Sequence, residues 1–147
     1  LFRENNYELK PLMLAILTSD DFTDQINTAN MIKSPVELVV GSLRSLGEKN
    51  FDAALGLKYM SRLGQNLLNP PNVKGWSGGK TWIDANTLLI RKEFLYKLTR
   101  GDDIIQIPLE QNRLAQILLP LKVYISPTSN KKRYLNLILQ HPTYQLK

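Results

Sequence analysis

Apolar residues fall at helical spacing along most of this chain, and the breaks between those runs set out its architecture. Leu9, Leu12, Met13 and Ile16 share one face of a helix expected over residues 7–17. Pro11 sits in its first turn, where a missing N–H is tolerated. Thr18-Ser19-Asp20-Asp21 should end it, because short polar side chains compete for backbone hydrogen bonds. Phe22 is expected to pack beneath that turn. Residues 23–33 are polar and poorly periodic and read as a loop with at most a short helical turn.

Ser34-Pro35-Val36-Glu37 is a strong start signal: an N-cap serine, a proline at the first helical position and a glutamate at the third. Val36, Val39, Val40, Leu43 and Leu46 follow at helical spacing, and Gly47 should close the helix. Asn50 is placed to cap the next one. Phe51, Leu55, Tyr59, Leu63 and Leu67 then recur every four residues, so a helix of about seventeen residues is expected up to Asn69-Pro70-Pro71. Gly56 and Gly64 would lie inside it, either allowing close approach of another helix or simply tolerated.

A fourth helix is expected over residues 82–98, with Ile83, Leu88, Ile90, Phe94, Leu95 and Leu98 on its core arc. Arg100-Gly101-Asp102-Asp103 reads as a turn. A fifth helix should run from Leu109 to Leu119 with Leu114, Ile117 and Leu118 inward, ended by Pro120. Ser126-Pro127-Thr128 looks like the start of a sixth, which reaches about Gln140 and buries Tyr134, Leu135, Ile138 and Leu139, with Lys131, Lys132 and Arg133 outside. Leu121–Ile125 is the one strand candidate. The pattern therefore predicts a single all-α domain over residues 1–147, an irregular bundle of about six helices crossed by a long loop.

That loop, Asn69 to Trp82, holds both tryptophans, two of the eight prolines and three of the eight glycines. Pro70 and Pro71 fix their own φ and push the preceding residue out of the helical region. Two readings stand side by side: the tryptophans fold back and plug the core, or one of them lines a site. Asn72, Lys74, Trp76, Trp82 and Arg91 are the candidate ligand-binding residues, since aromatic faces beside amides and cations suit sugars or anionic groups. Arg91 falls on the apolar arc of its helix with Asp84 and Thr87 beside it. A buried guanidinium needs acceptors, so Arg91 is expected to be buried and to clasp the loop carbonyls of residues 69–84, or Asp84 itself.

Composition narrows the chemistry. There are no cysteines and one histidine, His141, so neither a disulfide nor a Cys/His metal site is expected, and no cofactor or catalytic residue is named. No apolar run is long enough to span a membrane. The net charge of +6 is uneven: residues 1–73 carry seven Lys/Arg against eight Asp/Glu, residues 74–147 twelve against five. Charge alone favours nucleic acid, but no helix is basic along a whole face, so that partner is disfavoured.

Lys33-Ser34-Pro35 with Glu37, then Leu63-Gly64-Gln65, Pro70-Pro71-Asn72-Val73-Lys74-Gly75-Trp76, Trp82-Ile83, Arg91, Phe94 and Tyr144-Gln145-Leu146 follow one another in an order that resembles the C-terminal part of the bacterial domain-of-unknown-function 1800 family. Ser77 departs from the proline common there. The resemblance implies an exported protein several times longer, with no activity to carry over. On that basis, and from its opening on Leu1-Phe2-Arg3, the chain is expected to be the C-terminal part of a longer protein whose N-terminal region covers some of its apolar surface. The leading functional expectation is a helical interaction or ligand-binding module centred on the Trp loop, taking a carbohydrate or anionic ligand. The alternative is half of an enzyme whose catalytic groups lie partly elsewhere.

Overall fold

The computed structural model describes residues 1–24, 27–48, 50–100 and 110–147. Among these residues the chain is all-helical, with seven α-helices and no strand. They are α1 (Leu9–Leu17), α2 (Asp20–Thr23), α3 (Pro35–Leu46), α4 (Ala53–Arg62), α5 (Ala85–Arg100), α6 (Gln111–Leu118) and α7 (Lys131–Gln140). Two 3-10 turns, Gly79–Trp82 and Pro142–Gln145, precede α5 and follow α7. Gly101, Asp102, Asp103 and Leu109 lie outside the described residues.

α5 is the central post. It packs along α7 and also meets α3 and α4, while α6 leans on α7. Leu38 and Val39 from α3, Tyr59 and Met60 from α4, and Phe94, Leu95 and Leu98 from α5 form one core with Leu114 and Leu118 from α6 and Tyr134, Leu135, Ile138 and Leu139 from α7. Phe94 anchors its aromatic centre, meeting Phe51 edge-on at 5.9 Å and Tyr59 at 5.1 Å between centroids.

Local signals hold where they act over a few residues. Ser34 and Glu37 close the expected capping box on α3: the Ser34 hydroxyl accepts from the Glu37 amide at 3.3 Å, and the Glu37 carboxylate accepts from the Ser34 amide at 2.8 Å. Gly47 ends α3 at φ 68°, with the Glu48 amide reaching back to the Leu43 carbonyl. The Thr18–Asp21 stop does more than expected, because Ser19 also caps α2 through the Phe22 amide.

Several boundaries move. α4 is ten residues long rather than seventeen, and Asp52 caps it rather than Asn50. Gly64 takes φ 89° and ends the helix, the Gly64 and Gln65 amides satisfying the Ser61 and Met60 carbonyls. It is a terminator, not an interior glycine; Gly56 is the interior one, with the Phe51 ring and Val39 in ordinary contact with the site a Cβ would take. α5 starts at Ala85, three residues later than Trp82, and α7 starts after Asn130, whose side chain accepts from the Arg133 amide. The buried stripe of α3 is turned toward Leu38 and Ser42, leaving Val40 outside, and Ile117 of α6 faces solvent while Ala115 is buried. Phe22 is exposed rather than tucked under its turn. No strand forms at Leu121–Ile125; the one bridge among the described residues joins Ile32 to Leu146.

Candidate functional site

The Trp loop leaves α4 at Gly64 and returns at Trp82, and its two ends meet. The Trp82 ring is buried, its edge 4.0 Å from where a Cβ on Gly64 would sit. At its start, Gln65 accepts the Val36 amide at 3.0 Å, satisfying a donor that α3 leaves open. At its end, Asp84 and Thr87 cap α5 reciprocally: the Thr87 amide donates to Asp84 Oδ1 at 2.7 Å and the Asp84 amide to Thr87 Oγ1 at 2.8 Å. The Thr87 donors hold the Asp84 carboxyl below its ordinary range.

Between those anchors the backbone turns sharply. Asn72 Oδ1 accepts the Lys74 amide at 2.9 Å, and its carbonyl accepts the Gly75 amide at 3.0 Å. Four residues from 64 to 79 have positive φ: Gly64, Leu68, Gly75 and Gly79. Three are glycines, for which that region is free of strain. Leu68 is the exception, at φ 61°, and its side chain is 97% exposed. Val73 is equally open, and Asn72 and Lys74 point outward. Trp76 is half-buried, its indole N–H shielded and without an acceptor.

The two tryptophans therefore divide the two readings of the loop: Trp82 plugs the fold, and Trp76 lies beside an open tip. No acidic residue occurs from 53 to 83, while Lys58, Arg62, Lys74 and Lys80 do. Arg62 pairs with Glu93 on α5 at 3.4 Å; among the described residues no salt bridge involves Lys58, Lys74 or Lys80. The loop is basic with an apolar tip.

Arg91 is fully buried, as its place on the helical arc requires. Its partners are not those expected. Nη2 donates to the Lys33 carbonyl at 2.8 Å and Nη1 to Gln145 Oε1 at 3.2 Å, while Nε has no acceptor. It does not bond Asp84, which is exposed, nor any residue of the Trp loop. The clasp instead ties the segment before α3 to the end of the chain. The Lys33 amide donates to the Gln145 carbonyl at 2.8 Å, and Met31 and Lys147 exchange backbone bonds. Lys33 Nζ donates to the Tyr144 carbonyl at 2.7 Å and lies 4.0 Å over its ring, and the Tyr144 hydroxyl meets Ser42 Oγ at 2.8 Å. Burial, with a smaller push from the Arg91 guanidinium, lowers Lys33 to about 8 against the opposing pull of Glu37. Burial likewise lowers Arg91 to about 10, so it stays charged at neutral pH.

This junction gathers Lys33, Ser34, Arg91, Tyr144 and Gln145, with Gln65 tied to the adjoining first turn of α3; all are residues on which the sequence resemblance rests. Periodicity pointed to Arg91 alone, since Lys33 and Gln145 reach it from more than fifty positions away. Every donor on the first turn of α3 already has an acceptor, so the junction reads as a structural knot rather than an anion site. His141 is also structural, its Nδ1 accepting the Thr143 amide at 3.3 Å.

Elsewhere, an open groove of about 540 Å³ lies between Ala115, Leu121, Val123, Tyr124, Ile125 and Tyr134, but Lys122 is its one charged lining residue. Among the described residues no group of three His, Cys, Asp or Glu could hold a metal ion, and no helix is long and apolar enough to cross a membrane. No curated protein and no solved structure matches the chain. The family model described as "Protein of unknown function (DUF1800)" matches residues 1–146, nearly the whole length, and the chain belongs to that family.

Proposed function

We propose that this chain is a helical binding module that presents the tip of the 64–82 loop to an anionic partner with some apolar surface. The observation that carries the reading is Leu68. A leucine in left-handed backbone costs about 1–2 kcal/mol, and here no burial offsets it, because the side chain is in solvent. Strain of this kind clusters at binding sites, where contact with a partner gives it a use. Val73, also in solvent, and Lys74 and Lys80, the loop's only charged side chains, give the partner its chemistry: apolar contact with the loop and negative charge near it.

Trp76 supplies the readout, being the half-buried tryptophan at the loop. A random copolymer of glutamate and leucine serves as the probe. Adding it is expected to shift the indole emission, with the response lost in Trp76→Phe and weakened at least about tenfold in Lys74→Glu/Lys80→Glu. Lys92→Glu/Lys122→Glu removes the same charge from other exposed positions and should leave binding within about twofold at moderate salt. Equal losses in both double variants would show general charge attraction and overturn the loop reading.

A further inference from the structure

The first helix is the other surface this fold leaves unexplained. α1 has no buried residue, and none of its side chains belongs to the core. Leu9 and Leu14 are more than 60% exposed, and Met13, Ile16, Leu17 and, on α2, Phe22 are about half exposed or more. A cluster of this kind on one short arm is unusual for a surface that meets only water.

Charge says what fits it. Residues 1–24 carry two basic side chains, Arg3 and Lys10, against five acidic ones, Glu4, Glu8, Asp20, Asp21 and Asp24. The 64–82 loop carries two basic side chains, Lys74 and Lys80, and no acidic one. The arm is apolar and acidic; the loop is apolar-tipped and basic. An arm-to-arm pairing would set two acidic clusters against each other, and a loop-to-loop pairing two basic ones, each repulsive. The acidic arm is also poorly suited to an anionic lipid surface, which attracts basic amphipathic helices.

We infer that the α1–α2 arm of one copy docks on the 64–82 loop of a second copy, so that the chain self-associates head to tail. The inference rests on the loop reading above and names its partner. Leu68 and Val73 would meet the apolar face of α1, with Lys74 and Lys80 facing the acidic residues at its ends. Such a heterologous contact leaves a free arm on one copy and a free loop on the other, so association continues into a ring or a chain rather than stopping at a symmetric dimer.

Sedimentation velocity on the full chain tests this. Wild type is expected to associate in a concentration-dependent way that weakens as salt rises. Glu4→Lys/Glu8→Lys spoils the arm, and Lys74→Glu/Lys80→Glu spoils the loop; each alone should weaken self-association at least about tenfold. Mixed together, the two variants should associate again, because the intact arm of one meets the intact loop of the other and the two reversed surfaces also complement each other. All these positions are exposed, and a thermal melt of each variant confirms that it is folded. Wild type that stays monomeric at several hundred micromolar, association that survives both variants, or a mixture that does not associate would overturn the inference. If the copolymer still shifts Trp76 while wild type stays monomeric, the loop reading stands and its partner is another acidic protein. If both responses are absent, the loop reading falls with it.

Discussion

Trp82→Ala is expected to cost about 3–5 kcal/mol, the range for removing a large buried aromatic. Trp82 is 7% exposed, and its ring closes the loop against Gly64 at the end of α4. Alanine would leave a cavity there and free the two ends of the loop from each other. Denaturant unfolding measures the loss directly. The emission of Trp76, then the only tryptophan, should also move to longer wavelength as the loop loosens. Trp82→Phe, which keeps part of the ring contact, should cost less than half as much. A Trp82→Ala loss below about 1 kcal/mol would mean that the ring fills a site able to collapse, and that the loop is held by its backbone turns alone.

Arg91→Leu is the second large effect, expected at about 2 kcal/mol. Two acceptors lose their donor: the Lys33 carbonyl and Gln145 Oε1. Each stranded buried acceptor costs about 1–3 kcal/mol. Part of this is returned, because a buried guanidinium with one unpartnered nitrogen is itself expensive to desolvate. Arg91→Lys is not a rescue, since one ammonium cannot reproduce the two directed bonds of the fork. A double-mutant cycle with Gln145→Leu isolates the contact. Coupling of about 1–2 kcal/mol is expected, and additive losses would show that the junction draws its stability from elsewhere.

How much of this was legible in the sequence follows the range over which each signal acts. The α3 capping box and the Gly47 terminator were readable because every atom involved lies within a few residues. The burial of Arg91 was readable from its place on a helical arc. Its partners were not, because Lys33 and Gln145 come from opposite ends of the chain and no spacing rule links them to α5. The early end of α4 was hidden by its own periodicity. Leu67 continues the every-fourth-residue pattern, yet Gly64 turns left-handed and the chain departs. The apolar face of α1 was also plain in the sequence. What the pattern could not show is that, among the described residues, none of the helix becomes buried. Trp76 and Trp82 looked equivalent because their difference depends on where the loop ends meet, a tertiary fact.

The most direct measurement of the central claim is a paired one on Leu68→Asn. Asparagine accepts left-handed backbone far better than leucine, so removing the strain should stabilise the fold by about 1 kcal/mol, roughly 2–4 °C in Tm for a domain of this size. The side chain contributes no burial to the fold, so nothing offsets that gain. If Leu68 is kept for contact with a partner, the same variant should weaken the response of Trp76 to the glutamate–leucine copolymer by at least about threefold. A higher Tm with weaker binding is the result the account predicts. A higher Tm with unchanged binding would contradict it, leaving Leu68 as strain without a function.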